Sequence, residues 1–249
     1  MDLGIEGRVA LVMGASRGIG RAVAGELAGE GAKLAIASRS LERLEPVAAE
    51  IGARAFAHDS GDLDGAPALL ERVEAELGPV EILVTNTGGP PANPDALGSS
   101  REQWEAAYRT LVLAPIELIR AALPGMRAAG FGRVVNIGSF SVREPIAGLM
   151  LSNSHRAATL AAFKTLSREV AGEGITVNTV LPGRIATERI YELAGGREQA
   201  EQRAKSEIPA GRLGAPEEMA AAVAFLCSAR ASYITGVALL VDGGFTQLV

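Results

Sequence analysis

Residues 8–31 read RVALVMGASRGIGRAVAGELAGEG. Positions 8–13 are almost continuously apolar, the pattern of a strand covered on both faces. Positions 18–29 read as an amphipathic helix. Between them Gly14, Gly18 and Gly20 fall in a G-x-x-x-G-x-G spacing. Glycine lets the backbone turn tightly and approach a pyrophosphate, whose charge then faces the helix N-terminus. A glycine pattern alone is weak, and a packing turn is the competing reading. Its place between a strand and a helix favours a dinucleotide-binding turn.

The same alternation continues along the chain. Strand patterns fall at 33–38, 54–58, 81–85, 133–137, 175–180 and 237–241, and helical patterns at 41–51, 62–77, 101–128, 152–172 and 216–228. This order implies an α/β fold: a Rossmann-like doubly wound sheet of seven mainly parallel strands flanked by helices, spanning 1–249 as a single domain. TNTGGPPANP (85–94) reads as a functional loop. Residues 184–213 form the one irregular stretch, read as a mobile lid over a pocket.

Composition narrows the function. The chain has 249 residues, 48% of them hydrophobic but only 4% aromatic, so the core must be built from Val, Ile, Leu and Ala. A formal charge of −5 with no basic run disfavours nucleic acid and anionic membranes as partners. One cysteine, Cys227, excludes an internal disulfide and a thiolate metal cluster. The start of the chain lacks the pattern of a secretory signal and no window approaches a membrane span, so a cytoplasmic location is expected. Metal binding is not expected, because His58 and His155 are far apart and acids cluster with neither.

The second strand pattern ends in Ser38 and Arg39, where an acid would bond the adenosine ribose of NAD. Together with Arg17 in the glycine turn, this gives two guanidiniums and no carboxylate. That pair suits a 2′-phosphate and therefore NADP(H). The alternative for Arg39 is a solvated residue at a helix start.

At this point the chain resembles the short-chain dehydrogenase/reductase family over nearly its whole length. The resemblance rests on GASRGIG (14–20), Asp59 in AHDS, Asn86 and Gly88 in TNTGG, LPGRIAT (181–187), IPAGRLGAPEEMA (208–220) and ASYITGVALLVDGG (231–244). The last two are nearest to bacterial 3-oxoacyl-[acyl-carrier-protein] reductases. It implies cofactor contacts from Gly14, Ser16, Arg17, Gly18, Ile19, Gly20, Ser38, Arg39, Asp59, Asn86, Gly88, Pro182, Gly183, Ile185 and Thr187. It also implies a small carbonyl substrate, thioester-linked in the nearest relatives, and a homotetramer or homodimer.

The family uses an Asn, a Ser and a Tyr-x-x-x-Lys pair. Carried over, the Ser is Ser139, but the Tyr and Lys positions are Ser152 and Arg156, and the Asn position is Leu111. The threonine that opens the family's glycine turn is Met13 here. Lys164, two helical turns beyond Arg156, lies about 12 Å along the axis and off that face. His155 shares a helical face with Ser152 and Arg156, and an imidazole is a side chain suited to general acid work. It is a candidate proton donor, direct or through Ser152 or water, with Ser139 and Arg156 stabilising developing charge; the alternative is a packed histidine. Ser152, Asn153 and Ser154 are also candidate helix caps. Tyr191 is the one tyrosine placed to reach a substrate, with packing the alternative. The substitutions leave two functions open: an NADP(H)-dependent carbonyl reductase with an altered proton donor, or an NADP(H)-binding protein without redox catalysis.

Overall fold

A computed structural model describes residues 2–247. Seven strands, β1 (Val9–Met13), β2 (Lys33–Ser38), β3 (Arg54–Ala57), β4 (Ile82–Thr85), β5 (Gly132–Ile137), β6 (Ile175–Pro182) and β7 (Ala238–Val241), form one sheet in the order β3-β2-β1-β4-β5-β6-β7. Every pairing is parallel, so the expected parallel sheet needs no antiparallel edge. The order reverses direction between β1 and β4. A doubly wound sheet opens its ligand crevice there, beyond the strand C-termini.

The helices are α1 (Gly18–Gly29), α2 (Leu41–Ile51), α3 (Ala66–Leu77), α4 (Arg101–Tyr108), α5 (Ala114–Ala129), α6 (Met150–Val170), α7 (Glu188–Ala194), α8 (Arg197–Glu207) and α9 (Pro216–Cys227). Alternate strand residues feed two cores. Ala10 and Val12 of β1 join Val23 and Leu27 of α1, Leu44 of α2 and Val223 of α9 on one face. Val9, Leu11 and Met13 join Leu69 of α3, Leu118 of α5 and Phe163 of α6 on the other. This two-sided burial is why the strands read as continuous apolar runs.

Four expectations are corrected. The helix pattern 101–128 is broken by a π-helical turn, Arg109–Leu113, between α4 and α5. The pattern 62–77 starts at Ala66, because Asp59 and Asp62 accept the amides of Gly61 and Gly65 and hold residues 59–65 in turns. α6 begins at Met150, so Ser152 and Asn153 lie inside it and cap nothing; Asn153 Nδ2 donates to Ile146 O, and Ser154 Oγ donates back to Met150 O. The stretch 184–213 is mostly helical, with α7 and α8 separated by Gly195 and Gly196. It has a small core of its own: Ala200, Ala204, Ile208 and Leu213, with Tyr191 and Phe245 against them.

Candidate active site

The turn after β1 is built around absent side chains. Gly14 has φ +62°, and a Cβ there would stand 2.7 Å from Asn86 O. A Cβ on Gly20 would collide with the Gly14 carbonyl and stand 2.7 Å from Asn86 Nδ2. Asn86 Nδ2 in turn donates to Gly14 O at 3.3 Å, tying the ends of β1 and β4 together across the crevice. α1 starts behind this turn with no acid in its first turn and no side-chain cap. The amides of Gly18, Ile19 and Gly20 therefore leave a positive helix end beside Ser16.

Around this turn lie the other sequence-derived positions. Ser38 closes β2 and donates to Ser40 O, and Arg39 follows it, exposed. Asp59, past β3, accepts the Gly61 amide through Oδ1. Gly88 follows β4. Pro182 ends β6, and Gly183 packs so tightly that a Cβ would meet the Asp242 backbone at 2.6 Å. Thr187 lies 3.4 Å from the place a Gly18 side chain would take, so 181–187 closes over the glycine turn. Ile185 differs from the others: its side chain is 3% exposed and packs in the core. Arg17 is engaged within the protein, ion-paired with Glu188 of α7.

The chemistry-bearing residues gather at the ends of β4 and β5. Ser139 follows β5, and its Oγ accepts the Ser141 amide at 3.1 Å. Arg156 enters from α6. Its Nη1 donates to Ile137 O at 2.9 Å and to Gly138 O at 3.3 Å, its Nη2 to Thr87 O at 3.0 Å, and its Nε to Ser152 Oγ at 3.3 Å. Burial, then the like charge of Arg189, pushes its pKa down to about 10, so it remains a cation at neutral pH. Arg189, on α7, donates to Pro90 O at 2.9 Å. It was not among the sequence-derived residues, because its role depends on a carbonyl 99 positions away.

His155 takes a different direction. Its Nδ1 lies 2.7 Å from Leu151 O, and its ring centroid is 5.2 Å from Trp104 and 6.1 Å from Tyr108, both on α4. Leu111, at the asparagine position, sits in the π turn; its carbonyl accepts from Thr159 Oγ1 of α6 at 2.7 Å. Tyr191 packs beneath the Arg197 guanidinium within the 184–213 segment. His58 is buried, which lowers its pKa against the opposing pull of Asp62 and Asp59. Among the described residues no group of three or more His, Cys, Asp or Glu could hold a metal ion, and no helix is long and apolar enough to cross a membrane.

A groove of about 620 Å³ lined by Lys33, Arg54 and Glu76 lies at the opposite end of the strands from these residues. It is therefore not the crevice that the sheet order opens.

With this geometry in view, comparisons with known proteins are specific. A family profile described as enoyl-(acyl carrier protein) reductase matches residues 14–246. A 3-oxoacyl-[acyl-carrier-protein] reductase of Vibrio cholerae is 37% identical over 99% of this chain and 100% of its own. An NADPH-dependent reductase of Bacillus subtilis is 35% identical over 95% and 97%. The solved structure of L-sorbose reductase from Gluconobacter frateurii, complexed with NADPH and L-sorbose, superposes with a TM-score of 0.95 at 32% identity over 100% of both chains.

Proposed function

Because the chain belongs to the short-chain dehydrogenase/reductase family, we propose that it is an NADP(H)-dependent oxidoreductase reducing a carbonyl to an alcohol, with 3-oxoacyl thioesters the nearest substrate class. The observation that carries this reading is the crevice at Gly14, Gly20 and Asn86, a cradle that any Cβ would fill. The residues fit the cofactor. The amides of Ser16, Gly18, Ile19 and Gly20 would hold its pyrophosphate, and Arg39 with Arg17 would hold the 2′-phosphate. Asp59 would contact the adenine, Asn86 and Gly88 would line the cofactor crevice, and Pro182, Gly183, the Ile185 backbone and Thr187 would meet the nicotinamide. Arg17 reaches a phosphate by releasing or sharing Glu188.

When bound, NADPH supplies the hydride. The chain must then hold the carbonyl oxygen and give it a proton. Ser152 Oγ accepts from the Arg156 guanidinium, which leaves its own hydrogen for the substrate oxygen. Ser139 offers a second hydroxyl. The guanidinium stabilises the negative charge that builds on the pair, and solvent restores the serine proton. Serine is a weak acid, but an alkoxide is a strong enough base to take its proton, so turnover is slow rather than absent. His155, held by Leu151 O and two aromatic rings, positions α6 against α4; donation from its Nε2 is the competing role, and His155→Ala separates them.

The second reading is NADP(H) binding without redox catalysis, favoured by the loss of both Tyr and Lys. A fluorescence titration with NADPH and NADH, followed by NADPH oxidation over a panel of carbonyls, tests both. Tight NADPH binding with turnover supports the first, and binding without turnover supports the second. No binding of either nucleotide refutes both. The lid role of 184–213, a cytoplasmic location and a homodimer or homotetramer belong to the same proposal. The assembly is supported by the exposed Ala157, Ala158 and Ala161 on α6 and Leu239 on β7.

A further inference from the structure

Gly89 occupies an unusual place. The nearest heavy atoms to the position of a Cβ on it are Arg189 Nη2 at 3.9 Å, Ser152 Oγ at 3.9 Å and Arg156 Nη2 at 4.0 Å. Three polar heads thus converge on one open glycine face, and two of them belong to cations. Among the described residues neither guanidinium is bonded to a carboxylate. Arg156 donates to three neutral carbonyls and a hydroxyl. Arg189 donates to the carbonyl of Pro90. The acid next to Arg189 in sequence, Glu188, is paired with Arg17 in the absence of cofactor. Arg156 Nη2 spends one of its two hydrogens on Thr87 O, so another remains for a ligand.

Two guanidiniums held together without a carboxylate repel one another, and the like charge of Arg189 helps lower the Arg156 pKa. Such an arrangement is stabilised by an anion that both can reach, and charge-assisted bonds to guanidinium are among the stronger hydrogen bonds. Ser152 stands where the family has a tyrosine, and its short side chain is one of the three heads facing Gly89. From this juxtaposition we infer that the face of Gly89 between Arg156 and Arg189 is a carboxylate seat, and that the carbonyl substrate is a free oxo acid carrying that carboxylate, in place of the thioester of the nearest relatives. The substrate half of this statement rests on the reductase reading; the seat itself does not.

The test uses two probes with one carbon skeleton, acetoacetate and methyl acetoacetate, which differ in carrying or lacking the charge. Their binding to the full-length protein is measured by ligand-observed NMR, with and without NADPH. Two variants accompany the wild type. Arg189→Met removes one exposed cation, and Gly89→Ala places a methyl on the seat, where its contacts of 3.9 Å or more are ordinary packing. The acid is expected to bind the wild type about tenfold or more tightly than the ester, and each variant to weaken the acid by about tenfold. The seat is overturned if the acid fails to bind, if the ester binds as well, or if Arg189→Met keeps full affinity for the acid. NADPH oxidation is a separate readout: acid binding without turnover of acetoacetate or of any carbonyl in the panel refutes the reductase reading and leaves the seat standing.

Discussion

Replacing Arg156 by methionine tests whether its guanidinium ties the ends of β4 and β5 to α6. Of its four bonds, those to Ile137 O at 2.9 Å and Thr87 O at 3.0 Å have normal length, and those to Gly138 O and Ser152 Oγ, each at 3.3 Å, are long. Hydrogen bonds from a charged donor contribute roughly 1.5–3 kcal/mol each, so the two shorter ones sum to roughly 3–6 kcal/mol. Withdrawing the cation from water offsets part of this, consistent with the lowered pKa. Methionine keeps the apolar stem and fills similar space, so the expected loss is about 2–4 kcal/mol. For a chain of this size that is a fall in Tm of roughly 4–16 °C. Arg156→Lys, which keeps the charge but loses the planar fork, should fall between wild type and Met. Urea unfolding followed by circular dichroism checks both, with the slope unchanged. If the Arg156→Met midpoint matches wild type, the carbonyls find water as readily as arginine and the bracing argument is wrong.

Other expectations are narrower. Gly20→Ala should abolish NADPH binding in a fluorescence titration while the far-ultraviolet spectrum stays helical, because the new methyl displaces Gly14 O and Asn86 Nδ2 from the crevice. Glu218 accepts both Arg212 nitrogens at 2.7 Å and the Ala215 amide at 2.7 Å, and the Arg212 bond, followed by that amide, pulls its carboxyl down to about 2. Its folded pKa is depressed, so its stabilisation is full above the usual carboxylate range and is lost as pH falls from about 4.5 towards about 2. Urea midpoints of wild type and Glu218→Gln should therefore differ at pH 7 and converge as pH falls through that window; the difference should be near 1 kcal/mol or less, since both side chains are about half exposed. Burial pushes the Cys227 thiol up to about 12. Its reaction with a disulfide reagent at pH 8 should track global unfolding, with no faster phase.

Much of the fold is legible in the chain because strands buried on both faces cannot hide their apolar character. RVALVM, EILVT and ITVNTV mark β1, β4 and β6 within two residues of their ends. α8 stayed hidden for the opposite reason: REQAEQRAKSE buries only Ala200 and Ala204, so almost no apolar period marks it. The π turn was equally invisible, because RTLVL has no glycine or proline and the turn's carbonyl is satisfied by Thr159 on another helix. The glycine turn could be read from local spacing. Ser139, Ser152 and Arg156 were found by resemblance, and their partners by neither route: Thr87, Gly89 and Arg189 come together only when β4, α6 and α7 have packed. A residue whose importance lies in a backbone carbonyl or in a missing side chain leaves little trace in one sequence.

The π turn at Arg109–Leu113 also bears on how this chain can change by insertion and deletion. Such a turn is an α-helix holding one surplus residue. Because the turn absorbs that residue, losing one from this segment would restore regular winding with α4 and α5 nearly in their present places. Trp104 and Tyr108 would stay against the His155 ring, while the carbonyl now given to Thr159 would return to its own helix. A single-codon deletion here would thus cost little beyond the Thr159 bond to α6, whereas one within the regular winding of α6 would turn its two ends about 100° out of phase.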